Sequence, residues 1–151
     1  MSIEKERRIV ELAALAANDF VIVGTKSNQL EEVAASKSVS LSVAAQIVVN
    51  AAFFRFEQLP FEKQQECIEY AKMLDEVMDK IGGETVLRSL NLKDYTIQGE
   101  YGAKFHREFV NLHPGIYTNS PFPMLPKSIQ KSIIRQLTGL QIWLKADLKQ
   151  F

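Results

Sequence analysis

A chain of 151 residues, 46% hydrophobic and 24% charged, fits one globular domain large enough to bury a core without metal or disulfide help. Its one cysteine, Cys67, excludes an internal disulfide and points to a reducing compartment, and no run reaches the roughly 18–20 apolar residues of a membrane span. The charges cancel overall but not locally: residues 1–100 hold 11 Lys/Arg against 16 Asp/Glu, and residues 101–151 hold 7 against 2. Such asymmetry reads first as two halves that attract each other within one fold, and second as a basic binding face.

The expected fold is mainly α, a single domain over residues 1–151 with about six helices and at most one short N-terminal strand. Ser2 can cap a helix over 2–18, whose apolar side is Ile3, Val10, Ala13, Ala14 and Ala17. Glu4, Lys5, Glu6, Arg7, Arg8 and Glu11 make this stretch too charged for a signal peptide, so a cytoplasmic protein is expected. Residues 20–23, Phe-Val-Ile-Val before Gly24, are the strand candidate. Ser27 can cap a short helix over 28–37, Ser38-Val39-Ser40 breaks the pattern, and Ser40 or Ser42 can cap a helix to about Glu57 through Val43, Ile47, Ala51 and Phe54.

Pro60 suits the first turn of the next helix, which aligns Phe61, Ile68, Ala71, Leu74, Val77, Met78 and Ile81 and stops at Gly82-Gly83. A short helix over 84–90 and a loop over 91–100 follow. Residues 101–112 read as a helix with Phe105, Phe109 and Leu112 on one side. Pro114, Pro121, Pro123 and Pro126 then impose an extended segment. The last helix, 127–149, carries the stripe Ile129, Ile133, Leu137, Leu140, Leu144 and Leu148.

The order strand, short helix, serine-marked turn, second helix in residues 20–56 resembles the ribbon-helix-helix unit of ParD-like antitoxins and related repressors. The matching residues are 20–26 as ribbon, Leu30, Val33 and Ala34 on the first helix, Ser40-Leu41-Ser42 as turn and cap, and Val43 to Ile47 as the second helix; Ser38 stands where the family usually has Gly. The same stretch is similar to a helix-turn-helix, with Leu30, Val33, Ala34, Val39, Ser40, Ala44 and Ile47 at its small and apolar positions. Either resemblance implies a DNA-binding or dimerisation unit acting as a homodimer, with Lys26, Ser40, Ser42 and Gln46 as the nucleic-acid-binding residues. Basic residues are few: Lys26, Lys37 and Arg55 in the whole of 20–56, where phosphate contacts normally dominate affinity.

Two further features lie near the C-terminus. Arg107 to His113 is similar to the Arg-x(4–6)-His motif of HEPN-type ribonucleases, which implies His113 as acid or base and Arg107 as the stabiliser of phosphorane-like charge, with no metal. His106 and His113 alone make a poor metal site, so no metal and no cofactor are expected. Lys127, Lys131 and Arg135 repeat every four residues behind an apolar, proline-rich leader holding Tyr117, Phe122, Met124 and Leu125. Those seven residues form the expected surface for a protein partner, with the apolar four turned outward and Trp143 and Phe151 available beyond them. The functional expectation is a non-enzymatic regulatory or interaction protein: a dimer that binds DNA, or an adaptor or inhibitor that binds another protein, with no membrane role.

Overall fold

The computed structural model describes residues 3–17, 34–35, 37–113 and 120–147. Side-chain caps mark the starts of two helices, at Ser40 and Asp94. Among the described residues there are six α-helices: α1 (Ile3–Ala17), α2 (Leu41–Phe56), α3 (Phe61–Lys80), α4 (Gly83–Ser89), α5 (Tyr95–Leu112) and α6 (Lys127–Asp147). One 3-10 turn, Phe122–Met124, precedes α6, and no strand occurs among these residues. The strand candidate at 20–23 and most of the helix expected over 28–37 lie outside the described residues.

Ser40 caps α2, its Oγ accepting from the Val43 amide at 3.3 Å. The chain enters that cap through a left-handed turn. Ser38 has φ 53°, Val39 N–H donates to the Ala34 carbonyl at 3.0 Å and Ser38 N–H to that of Ala35 at 3.2 Å. This is the Schellman arrangement that closes a helix, with serine at the position glycine fills most cheaply. At the end of α3, Gly82 (φ 129°) and Gly83 (φ 79°) turn the chain into α4.

The expectation for 91–100 was a loop, and here the structure differs. The Asp94 carboxylate accepts from the amides of Thr96 (2.8 Å) and Ile97 (3.3 Å), so α5 starts at Tyr95. A single N-cap outweighs the weak helix preference of Tyr-Thr-Ile and of Gly99.

The helices pack around α1, which meets α2, α3 and α6. Four consecutive residues of α1, Leu12 to Leu15, are buried, so this stretch has no solvent face. The buried set therefore centres on Ile9 and Leu12–Leu15 rather than on the narrower alanine side expected from periodicity. α2 is apolar on nearly every side and lies against both α1 and α6. Its small residues Ala44, Ala45 and Ala52 are buried, which lets neighbouring backbones approach closely. In α6, Ile133, Leu137, Leu140 and Leu144 are fully or almost fully buried, as their spacing requires, whereas Ile129 of the same stripe is 39% exposed in the first turn and Leu148 lies outside the described residues. Phe61, placed on the core face of α3 by its spacing, is exposed, because the first turn of α3 runs past the core.

The first and last helices are joined by a reciprocal clasp. Trp143 Nε1–H donates to the Arg8 carbonyl at 2.7 Å, and the Arg8 guanidinium donates to the Trp143 carbonyl. The same guanidinium lies 4.7 Å from the centre of the Trp143 ring and 3.1 Å from the Glu11 carboxylate. Trp143, expected as an accessory to the partner surface, is instead 4% exposed. The side chains of Arg8 and Glu11 are nearly buried, and a desolvated cation that loses its carboxylate costs far more than the pair itself contributes. Glu11→Ala should therefore destabilise the fold by about 3 kcal/mol, roughly 6–12 °C in Tm for a chain of this size. Arg8→Met combined with Glu11→Leu should cost clearly less. Urea melts of the two variants check this, and an equal or larger loss in the double variant would show that charge burial is not the controlling feature.

Candidate functional site

The N-terminal half of α5 and the N-terminal half of α6 form the two walls of an open groove of about 570 Å³. From α5 come Tyr95, Gln98 and Gly99, one face at i, i+3 and i+4. From α6 come Lys127, Lys131 and Arg135 in a row, with Gln130 and Ile134 beside them. Phe122 of the 3-10 turn closes the floor. No Asp or Glu among the described residues lines this groove.

Four contacts build it. Phe122 is 7% exposed, and its ring lies over Gly102 of α5, where an added Cβ would stand 2.6 Å from Cζ. Only glycine lets the 3-10 turn sit this close to the helix. The buried His106 holds the segment before the turn, its Nε2–H donating to the Ser120 carbonyl at 2.9 Å. Gln130 holds the segment after it by donating to the Leu125 carbonyl at 2.9 Å. Gln98 Nε2 donates to the Leu92 carbonyl at 2.7 Å and so steadies the α5 wall.

The groove is electropositive by construction. Among the described residues, Lys127 and Lys131 are exposed and make no ion pair, and Arg135 is half-buried beside them. The positive end of the α6 dipole lies at Lys127 and adds to the field. Tyr95, 85% exposed, stands on the opposite wall.

The partner surface expected from sequence is thus partly relocated. Lys127, Lys131 and Arg135 share one groove, as their spacing required. Met124 faces solvent at 75% exposure, but Phe122 and Leu125 are each 7% exposed and belong to the protein's own core. The outward orientation expected for these two is corrected: the 3-10 turn packs against α5 and both side chains join the core, which the prolines permit because they fix φ without preventing a turn. Tyr117 and Phe151 lie outside the described residues. Tyr95, Gln98 and Gly99 escaped the sequence reading, since 91–100 read as a loop; Asp94 before Tyr-Thr-Ile was the available signal.

The other candidate residues do not assemble. Arg107 is solvent-exposed and its guanidinium is near Glu108 at 3.9 Å. His113, the C-cap of α5, turns inward, its ring 5.6 Å from that of Phe109 and its Nε2 buried without a hydrogen-bond partner among the described residues. No hydrogen bond or ion pair joins Arg107 to His113. Ser40 spends its hydroxyl as a helix cap, and Gln46 Nε2 donates to Asn50 Oδ1 at 2.9 Å on the same helix. Lys26 lies outside the described residues. Ser42 falls in the first turn of α2. Cys67 is half-buried, and burial raises its thiol above the ordinary cysteine value; Glu66 adds to this and Lys63 opposes it. That direction disfavours the nucleophilic thiolate. No group of three His, Cys, Asp or Glu among the described residues could hold a metal ion, and no described helix is long and apolar enough to cross a membrane.

Compared with protein-family models, with curated proteins and with solved structures, the chain matches none.

Phe122→Ala should lower stability by about 3 kcal/mol, the ordinary loss for an emptied aromatic site, or roughly 6–12 °C in Tm. Gly102→Ala should cost about 1–3 kcal/mol, because the ring must move aside. Thermal melts measure both, and an unchanged Tm for Phe122→Ala would place the ring outside the core.

Proposed function

We propose that this chain is a non-catalytic interaction protein that binds an anionic partner in the groove between α5 and α6. One observation carries the reading: a cleft of about 570 Å³ lined by Lys127, Lys131 and Arg135 and by no acidic residue among those described. In a chain whose Lys/Arg and Asp/Glu balance at 18 each, such segregation leaves the acids elsewhere on the surface and points the groove at a negative ligand. An adaptor or inhibitor role through this surface fits better than catalysis, since no His, Cys, Asp or Glu among the described residues lines the groove to move a proton or attack a substrate. Ribonuclease chemistry has weak support, because exposed Arg107 and inward-turned His113 share no reacting centre.

Binding should be sensitive to salt and to the rim charges. Three partly exposed pairs at about 0.5–1 kcal/mol each imply that reversing two of them weakens binding at least tenfold, a loss of about 1.4 kcal/mol or more. Fluorescently labelled poly-L-glutamate titrated into the wild type and into Lys127→Glu/Lys131→Glu tests this. Both side chains are exposed, so the variant should fold normally. Equal affinity of the two proteins would remove the groove from consideration.

A second reading is favoured by a separate observation: α2 carries no charged residue from Leu41 to Phe54, yet half-buried Val43 and Ile47 align with exposed Asn50 and Phe54 at i, i+4, i+7 and i+11. Phe54 is 67% exposed. We propose that this stripe mediates homodimerisation, with Asn50 pairing with its own copy at the centre, as a polar residue in an apolar helix seam does. DNA recognition by α2 has less support. The described part of the unit offers only Lys37 and Arg55 for phosphates, and the buried side of α2 is committed to α1 and α6. Sedimentation at micromolar concentration should give a dimer that Phe54→Asp dissociates. A wild-type monomer would end this second reading without touching the first.

A further inference from the structure

We infer that the groove takes an extended segment of a partner protein with acidic side chains at alternate positions, in the pattern acid-x-acid-x-acid. This deepens the groove reading above and rests on it. The cations sit four residues apart along one side of α6, so successive positions are about 6 Å apart and the row spans about 12 Å. In an extended chain, side chains on one side recur about every 6.6–6.8 Å. Three alternate acids therefore meet Lys127, Lys131 and Arg135 in register, with a mismatch smaller than the reach of a lysine. Consecutive acids cannot do this, because every second one points away from α6.

The intervening residues of the segment face the α5 wall. There Gly99 leaves open space above its Cα, and Tyr95 offers a broad, largely exposed ring. Small or apolar residues suit those positions, since Phe122 and Ile134 make the floor apolar. Single-stranded nucleic acid shares the charge and the spacing, but it draws much of its affinity from stacking on successive aromatic rings. Tyr95 is the exposed ring in this lining, and Phe122 is buried beneath it. The observations favour a peptide.

The test uses the full chain and fluorescence anisotropy with four labelled probes. Two are peptides of identical composition, one with three acids alternating with valine or alanine and one with the three acids consecutive. The third is an alanine-based helical peptide with acids at i, i+4 and i+8, and the fourth is oligouridine. At physiological salt the alternating peptide should bind at least tenfold more tightly than each of the others. Lys131→Glu should abolish that preference, and Tyr95→Ala should weaken the alternating peptide several-fold. Lys131→Gln, which removes the charge without reversing it, should give an intermediate loss and guards against a folding artefact. Equal binding of the alternating and consecutive peptides, or tighter binding of the helical peptide or oligouridine, overturns the extended register while leaving an anion-binding groove. If no probe binds, the register and the groove reading fall together.

Discussion

The architecture depends on what surrounds the Arg8 guanidinium. A cation this nearly buried survives only when its hydrogen bonds and charge are met. Glu11 on the same helix, the carbonyl of Trp143 and the face of the Trp143 ring meet them together. Because Trp143 also donates to the Arg8 carbonyl, neither helix can slide along the other without breaking two hydrogen bonds at once. α1 is thereby held against α6, and α2 packs against both. The same α6 that is anchored near Trp143 presents Lys127, Lys131 and Arg135 at its other end, so the clasp also orients the groove.

A second constraint sets the groove's depth. Gly102, Phe122 and His106 bring a proline-rich segment onto α5. Gln141 fixes the far side of α6 by donating to the carbonyls of Leu87 and Leu90 at 2.9 and 2.7 Å, which ties it to the end of α4. Buried glutamines in such positions satisfy backbone acceptors that a helix end leaves open. Gln136, buried on the same helix, accepts from the Tyr70 hydroxyl of α3. α6 is thus locked by polar contacts on its inner side. Lys127 and Lys131 on its outer side take part in none of these contacts.

The charge asymmetry of the chain acquires a structural form. The basic C-terminal third does not simply neutralise the acidic remainder, since exposed Lys127 and Lys131 make no ion pair among the described residues. Acids are spent locally instead, in helix pairs such as Glu100 with Lys104 and Glu84 with Arg88. Exposed pairs of this kind contribute little stability. Their main consequence here is to leave the groove as a concentrated patch of one sign.

Much of this protein follows from its sequence, because the information is local. Helical periodicity, Ser40 as a cap, Gly82-Gly83 as a stop and the stripe of α6 each depend on residues within a few positions of one another, and physics of that range is readable along the chain. The row of cations was legible for the same reason. Its setting was not. That α5 begins at Asp94 depended on one cap outweighing poor helix formers. That Phe122 turns inward depended on a glycine twenty residues earlier in the chain. That Trp143 is a clasp rather than a contact surface depended on Arg8 at the opposite end of the sequence. Burial is a property of what arrives from elsewhere, so only the tertiary structure decided which apolar residues of the proline segment are core and which wall faces the three cations.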